Sequence, residues 1–320
     1  MEPLSLDTTW ECQIVGAGPA GLSAALYMAR YRRRVLVLHD GKARAARIPR
    51  THNVPGFPDG VAGATLLERM AEHATRYGAV LRQVEVTGAE HTDGCFKLRT
   101  ADGDTIVGRS LILATGLHLN QIPLPDAVHE AAIRANVLRY CPVCDGYEHI
   151  DRRIAVVGCD ADGAAEALFL RCYTPHLTLL PKAKAELSAA RRAELAAAGI
   201  CMEERPVERY VPHDNGFDIY LQGDATPLHF DVVYPALGVR QRTELAAMLG
   251  LQLGEEGCVA STCALGTPVP GLYCAGDIVE GLDQISVAMG HGAVAATRAH
   301  NWLRDHVDPS MDVTTRSIRP

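Results

Sequence analysis

No uninterrupted apolar run in this sequence is long enough to span a bilayer, and the run nearest the N-terminus is broken by Gly16, Gly18 and Pro19. Residues Met1 to Trp10 lack the basic start of a signal peptide. Both absences point to a cytoplasmic protein with no membrane partner. Positive charge is short as well: 31 Lys and Arg against 38 Asp and Glu leave a net charge of −7, which argues against nucleic acid as a partner. Ten cysteines in 320 residues are too few for a disulfide-stapled secreted scaffold. Most of them, such as Cys95 and Cys274, sit singly among apolar residues and read as small buried hydrophobes. What is present is the balance of a globular protein, 48% apolar and 22% charged, in a chain long enough for two domains.

One pair of cysteines is closely spaced, in Cys141-Pro142-Val143-Cys144-Asp145-Gly146. Two thiols two residues apart can lie on the first turn of a helix, where unpaired N–H groups favour a thiolate and a disulfide that opens and closes. Pro142 suits the first helical position, and Asp145 follows as a carboxyl group able to move a proton. The rival reading is half of a zinc site. Zinc needs two more ligands, and neither Cys159 nor Cys172 belongs to a second C-x-x-C, so no metal site is expected.

Upstream, Cys12 to Val15 reads as a short buried strand, followed by Gly16-Ala17-Gly18-Pro19-Ala20-Gly21 and then by Leu22, Ala25, Leu26 and Ala29 at helical spacing. Strand, tight turn and helix N-terminus in that order are what a pyrophosphate requires. The next strand, Val35 to Leu38, ends at Asp40, 24 residues after Gly16, where an acid accepts hydrogen bonds from a ribose. A proline-rich stretch with Asn53 follows, then a helix from about Thr65 to Tyr77, and alternating segments from Val80 to Val107 that read as an antiparallel meander. Ser110 to Gly116 is then a buried strand ending in the small residues Ala114-Thr115-Gly116, where backbone can approach a ligand.

The second half repeats this order. Arg153 to Val157 is a strand, Gly158 to Gly163 a loop and Ala164 to Arg171 a helix. Leu177 to Leu180 is the next strand, followed by a helix around Ala185 to Ala198 and a closing strand from Val232 to Gly238. A further strand runs into Gly276-Asp277, and a helix spans about Gln284 to Leu303. The tail from Asp305 to Pro320 is polar and reads as poorly ordered. The expected fold is α/β, with two Rossmann-like, doubly wound domains. The second, residues 117–238 with the C-x-x-C, is inserted in the first, residues 1–116 and 239–320.

Taken together, these residues resemble the low-molecular-weight thioredoxin reductases and their relatives among the two-domain flavoprotein disulfide oxidoreductases. Four separated motifs carry the resemblance: Gly16 to Gly21, Ala114-Thr115-Gly116, Cys141 to Gly146 and Gly276-Asp277. The family implies a homodimer with FAD in the first domain, its pyrophosphate at the loop containing Gly16, Gly18, Pro19, Ala20 and Gly21. It places Asp40 at the adenosine ribose, Asp277 at the ribitol chain, and Asn53, Gln284 and Ile285 near the isoalloxazine. It also implies that Cys144 exchanges electrons with the flavin, Cys141 meets a thioredoxin-like protein or small dithiol, and Asp145 handles the proton.

The second nucleotide loop departs from that family. Members using NADPH carry glycine at its first and third positions, and here it reads Gly158-Cys159-Asp160-Ala161-Asp162-Gly163. The His-Arg-Arg run that holds a 2′-phosphate is replaced by Pro181-Lys182-Ala183-Lys184, and no NAD-type acid ends the preceding strand. NADPH is therefore expected to be a poor donor, with a reduced ferredoxin or a second bound flavin in its place, or with electrons leaving to oxygen as in dithiol oxidases. A drifted NADPH site using Lys182 and Lys184, and a flavin-binding redox sensor without turnover, are the alternatives. His149 reads as a solvent-facing loop histidine or else a proton relay, His291 as a flavin neighbour or a packing residue, and Arg191 and Arg192 as a docking patch or a solvated face.

Overall fold

The computed structural model describes residues 9–254, 256–260 and 265–307. The first eight residues, read above for a leader, and the tail from 308 onward lie outside them. The chain forms two compact units: Met1–Ala46 with Ala64–Leu117 and Gln241–Pro320, and Arg47–Gly63 with His118–Arg240.

In the first unit, β1 (Trp10–Val15) leads into α1 (Pro19–Arg30) and β2 (Val35–His39). The chain then runs through α2 (Gly63–Arg76), β3 (Val80–Gln83), β4 (Val86–Thr92), β5 (Cys95–Thr100) and β6 (Thr105–Leu113). Strand β2 is a near-continuous apolar run and β1 is buried along nearly its whole length, Glu11 and Gln13 included, because a parallel sheet is covered on both faces. Each of their fully buried Val, Leu or Ile side chains is worth roughly 1.5–3 kcal/mol.

Two expectations are corrected here. β3 pairs parallel with β2, so only β4, β5 and β6 form the antiparallel meander. The meander's last strand and the buried strand approaching Gly116 are one element, β6. Alternation along a short strand reports which face is buried and says nothing of the partner's direction.

The second unit contains β7 (Leu117–Leu119) in part, α3 (Asp126–Arg134), the one-turn α4 (Pro142–Asp145), β8 (Ile154–Val157), α5 (Ala161–Leu170), β9 (Leu177–Leu180) and α6 (Ala189–Ala197). It continues with β10 (Cys201–Met202), β11 (Val207–His213), β12 (Gly216–Leu221), β13 (Leu228–Phe230), β14 (Val232–Pro235) and most of β15 (Val239–Gln241). Its parallel sheet runs β10-β9-β8-β14, and a separate antiparallel sheet runs β11-β12-β13. Residues 47–63, assigned by sequence to the first domain, cluster with this unit. Arg47 pairs with Glu130 at 2.7 Å and His52 with Glu148 at 2.9 Å.

The chain completes the first unit with α7 (Glu244–Met248), β16 (Leu272–Cys274) and α8 (Ile285–His306). β6 pairs with β5 along its first half and with β16 along its second, so β16 joins the parallel part of the sheet. α8 packs on α1 through small residues: a Cβ at Gly292 would lie 2.2 Å from the Ala20 carbonyl oxygen. Ser23 also donates to the Met289 carbonyl at 2.8 Å. Among the described residues no helix is long and apolar enough to cross a membrane.

Candidate functional site

The three glycines of the first nucleotide loop do different work. Gly16 has φ +110°, and a Cβ there would lie 2.2 Å from the Ala114 carbonyl oxygen, so the tight turn needs glycine. A Cβ at Gly21 would lie 1.9 Å from the Gly16 carbonyl oxygen, so this glycine lets α1 close on the turn. Gly18 differs: nothing lies within 4 Å of its Cβ position. It is the N-cap of α1, with Pro19 at the first helical position, no side-chain capping bond and no acid in the first turn. The helix N-terminus therefore offers its N–H groups to open space, which fits a pyrophosphate.

The other sequence-derived residues of this unit gather at the carboxyl ends of the parallel strands. Ala114 closes on β1 through its N–H to the Val15 carbonyl at 2.8 Å, and Thr115 Oγ1 donates to the Arg242 carbonyl at 2.6 Å. Gly116 accepts from the Arg242 N–H at 2.9 Å. A Cβ at Gly276 would touch that of Ala20 at 2.9 Å, which brings the end of β16 to the start of α1. Gln284 is the N-cap of α8 and Ile285 its first residue. Asn53 belongs to the second unit, where its Oδ1 accepts from Thr51 Oγ1 at 2.8 Å.

Asp40 is held by two donors, the Lys42 N–H at 2.9 Å and Arg242 Nη2 at 2.7 Å. Burial alone would raise its carboxyl, but these hydrogen bonds outweigh it and keep Asp40 below the ordinary carboxylate range. Asp277 pairs with Arg44 Nη2 at 3.0 Å, and here burial wins: its carboxyl is raised despite Arg44 and His291. Asp283 is pushed up to about 6, first by burial and then by Asp277. His291 is lowered by burial against the pull of Asp277, and among the described residues its Nδ1 has no hydrogen-bond partner.

In the second unit Cys141 and Cys144 form a disulfide with Cα atoms 5.2 Å apart. Cys141 is the N-cap of α4 and Pro142 its first residue, as the spacing predicts. The helix is a single turn, so the strong N-terminal field expected for a thiolate is not built here. Asp145 is 6% exposed, and both its oxygens are engaged: Arg139 Nε donates to Oδ2, and the Tyr234 hydroxyl to Oδ1 at 2.6 Å. Each oxygen keeps a second lone pair beside its donor. Tyr234 is pushed well above the ordinary tyrosine value, first by burial and then by the Asp145 charge, so it stays a donor.

His149 corrects an expectation: it is 6% exposed, not solvent-facing. Its ring meets Tyr234 edge-on at 6.0 Å, its Nε2 has no hydrogen-bond partner among the described residues, and burial lowers its pKa against the pull of Asp145.

The second nucleotide loop copies the backbone of the first. A Cβ at Gly158 would lie 2.1 Å from the Ala236 carbonyl oxygen, and one at Gly163 would lie 1.7 Å from the Gly158 carbonyl oxygen. The third position breaks the parallel. Asp160 is the N-cap of α5, and its Oδ1 accepts from the Gly163 N–H at 2.9 Å. The group that would face a pyrophosphate is thus occupied by a carboxylate of the chain itself. Asp162 lies in the same turn, and Glu166 is pushed up to about 7, first by burial and then by Asp162 and Asp160.

Among the described residues Glu166 Oε2 has no hydrogen-bond partner, so ionising this residue opposes folding. Its folded pKa lies above the unfolded value near 4.5, so stability falls as pH rises through about 4.5 to 7. Glu166→Gln should raise the melting temperature at pH 8 and change it little at pH 4, which thermal unfolding at the two pH values checks.

Several participants escaped the sequence. Arg242 and Arg44 reach Asp40 and Asp277 across more than two hundred residues of chain, and Tyr234 lies 89 residues from Asp145. No spacing signal links such pairs. The basic pair of α6 is already engaged, Arg191 by Glu194 and Arg192 by Glu204.

Residues 10–292 match the family model described as pyridine nucleotide-disulphide oxidoreductase. A thioredoxin reductase from Mycolicibacterium smegmatis is 30% identical over 318 residues, covering 93% of this chain and 98% of that protein. A bifunctional thioredoxin reductase/thioredoxin from Mycobacterium leprae (strain TN) is 29% identical, over 98% of this chain and 70% of its own length. Among solved structures, that of HlmI superposes with a TM-score of 0.85 at 29% identity, covering 93% of this chain and 94% of that one. With the match to the family model running from β1 into α8, the chain belongs to the pyridine nucleotide-disulphide oxidoreductase family, which implies FAD, and is a flavoprotein disulfide oxidoreductase of the thioredoxin reductase-like kind.

Proposed function

We propose that the protein exchanges electrons between FAD and an outside thiol or disulfide through Cys141 and Cys144, and that NADPH is not its efficient donor. The observation carrying the second clause is the contrast between the two loops. At α1 the N-terminus is open over Gly18, whereas at α5 it is capped by Asp160. Bound FAD supplies a two-electron donor and acceptor for the dithiol. Gly18 and the first turn of α1 hold its pyrophosphate, Asp40 takes the adenosine ribose and Asp277 the ribitol chain. Asn53, Gln284 and Ile285 serve the isoalloxazine.

In the disulfide-forming direction, a partner thiolate attacks Cys141 Sγ, a mixed disulfide forms and the Cys144 thiolate is released. Asp145, steadied by Arg139 and Tyr234, is the carboxylate closest in sequence to that thiolate. In the disulfide-forming direction the acceptor is oxygen; in the disulfide-reducing direction the donor in place of NADPH is a reduced ferredoxin or a second flavin. A homodimer belongs to the same reading.

The relatives named as thioredoxin reductases favour a second reading, NADPH-driven reduction of a thioredoxin-like protein, with the exposed Lys182 and Lys184 meeting the 2′-phosphate. Parallel anaerobic reductions by NADPH, NADH, reduced ferredoxin and dithiothreitol, followed by air, separate these readings. A flavin that stays oxidised with dithiothreitol would reduce the protein to a scaffold.

The roles of the two cysteines are tested by single replacements. Cys141→Ser should show a broad long-wavelength absorption band from the Cys144 thiolate beside oxidised flavin, and Cys144→Ser should not. The reverse pattern would exchange the two roles.

A further inference from the structure

The three-stranded sheet of the second unit carries a cluster that the redox chemistry does not use. Asp218 lies on the middle strand β12, directly opposite His229 on β13. On its other side it is opposite Val211 on β11, and His213 is two residues further along β11, hence on the same face. The register alone therefore brings two imidazoles and one carboxylate to one face of the sheet. The side chains meet there: His229 Nδ1 is 3.0 Å and His213 Nε2 3.8 Å from Asp218 Oδ1, and all three ligand atoms lie within 4.8 Å of one another. The two rings stack 5.2 Å apart at 13°. Each of the three side chains is between 34% and 37% exposed, which leaves an entry path from solvent.

We propose that His213, Asp218 and His229 form a binding site for a divalent transition-metal ion, with Zn2+ as the best fit to two imidazoles and a carboxylate. Such ligands bind zinc at about 2.0–2.2 Å, and three of them leave a tetrahedral ion one position for water. An ion at these bond lengths holds its ligand atoms roughly 3.4 Å apart, so separations of up to 4.8 Å close by up to about 1.4 Å, the 3.0 Å His229–Asp218 contact opens slightly, and the imidazoles turn about χ2 so that their in-plane lone pairs converge. His213 bound through Nε2 carries its proton on Nδ1, so the long 3.4 Å contact from the Asn215 N–H to Nδ1 gives way. Because the ligands come from three different strands, the ion ties β11 and β13 to β12 and stabilises the folded chain by an amount that grows logarithmically with free metal above its Kd.

The test uses the full flavin-loaded chain without reductant, so that Cys141 and Cys144 stay closed and offer no thiolate to the metal. Calorimetric titration with Zn2+ should show one equivalent that is lost from His213→Ala/His229→Ala, while flavin content and circular dichroism stay unchanged. Each single replacement should weaken that equivalent on the order of tenfold or more, as expected when a direct ligand is removed. Zn2+ should raise the melting temperature of the wild type and leave that of the double variant in place. Absence of Zn2+ binding to the wild type, or equal binding by the double variant, overturns the proposal. A Co2+ spectrum with thiolate-to-metal charge-transfer absorption would place the metal on a cysteine and overturn it as well.

Discussion

Gly18→Val is expected to give a folded protein that purifies without flavin. Gly18 sits in extended backbone at φ −79°, a conformation valine adopts readily, and nothing lies within 4 Å of its Cβ. The new Cβ therefore meets nothing beyond its own chain neighbours, and the side chain extends into the space in front of the N-terminus of α1. A pyrophosphate then loses both close approach and its hydrogen bonds to the N–H groups, each worth roughly 1.5–3 kcal/mol to a charged partner. Loss of two such bonds alone is on the order of a hundredfold or more in affinity. Gly21→Ala makes the contrast, because its Cβ collides with the Gly16 carbonyl and the damage there falls on folding. Flavin absorbance per protein, read beside the melting temperature, separates the two. Gly18→Val that keeps its flavin with unchanged affinity would move the pyrophosphate elsewhere.

Micromolar NADPH is expected to leave the wild-type flavin oxidised over a typical turnover time, and Asp160→Gly is expected to tighten NADPH binding about tenfold or more. A carboxylate about 4 Å from a pyrophosphate charge costs roughly 4 kcal/mol at an effective dielectric near 20, before screening. If about a quarter of that survives in solvent, the loss is already several-fold in affinity. The replacement also frees the Gly163 N–H, now bonded to Asp160 at 2.9 Å, to donate to phosphate. Glycine at an N-cap costs only a few tenths of a kcal/mol relative to aspartate, so the fold should tolerate the change. Stopped-flow absorbance under argon reads both proteins. Full reduction of the wild-type flavin within one turnover would establish NADPH as the donor, and an unchanged affinity in Asp160→Gly would clear Asp160 as the barrier.

The nucleotide loops show how much local sequence carries. Gly16, Gly18 and Gly21 are readable because the tight turn, the open helix N-terminus and the helix contact they form lie within six residues of one another. Asp160 was visible as an intruder for the same reason. Its bond to Gly163, three residues on, is the ordinary reach of an N-cap, though only the structure shows that the bond is made.

Local spacing also placed Pro142 at the start of α4 and Gln284 at the start of α8. The pattern of apolar strands and helices was sufficient for the doubly wound class, because periodicity reports which face each element buries. It could not report the direction of β3, a four-residue edge strand too short for its pattern to tell a parallel from an antiparallel neighbour.

The sequence by itself determined the closely spaced cysteine pair, the glycine turn before α1 and the aspartate that replaces a glycine in its copy, all of them properties of short stretches with fixed backbone geometry. Only the tertiary structure decided the charge environment around them. Arg242 on Asp40, Arg44 on Asp277, and Arg139 with Tyr234 on Asp145 are contacts between separate elements, and His149 is buried by its neighbours rather than by its own sequence. The His213, Asp218 and His229 cluster exists only because two strand registers align it. Burial and ion pairing are set by what packs against a side chain, and that partner's position along the chain leaves no periodic trace.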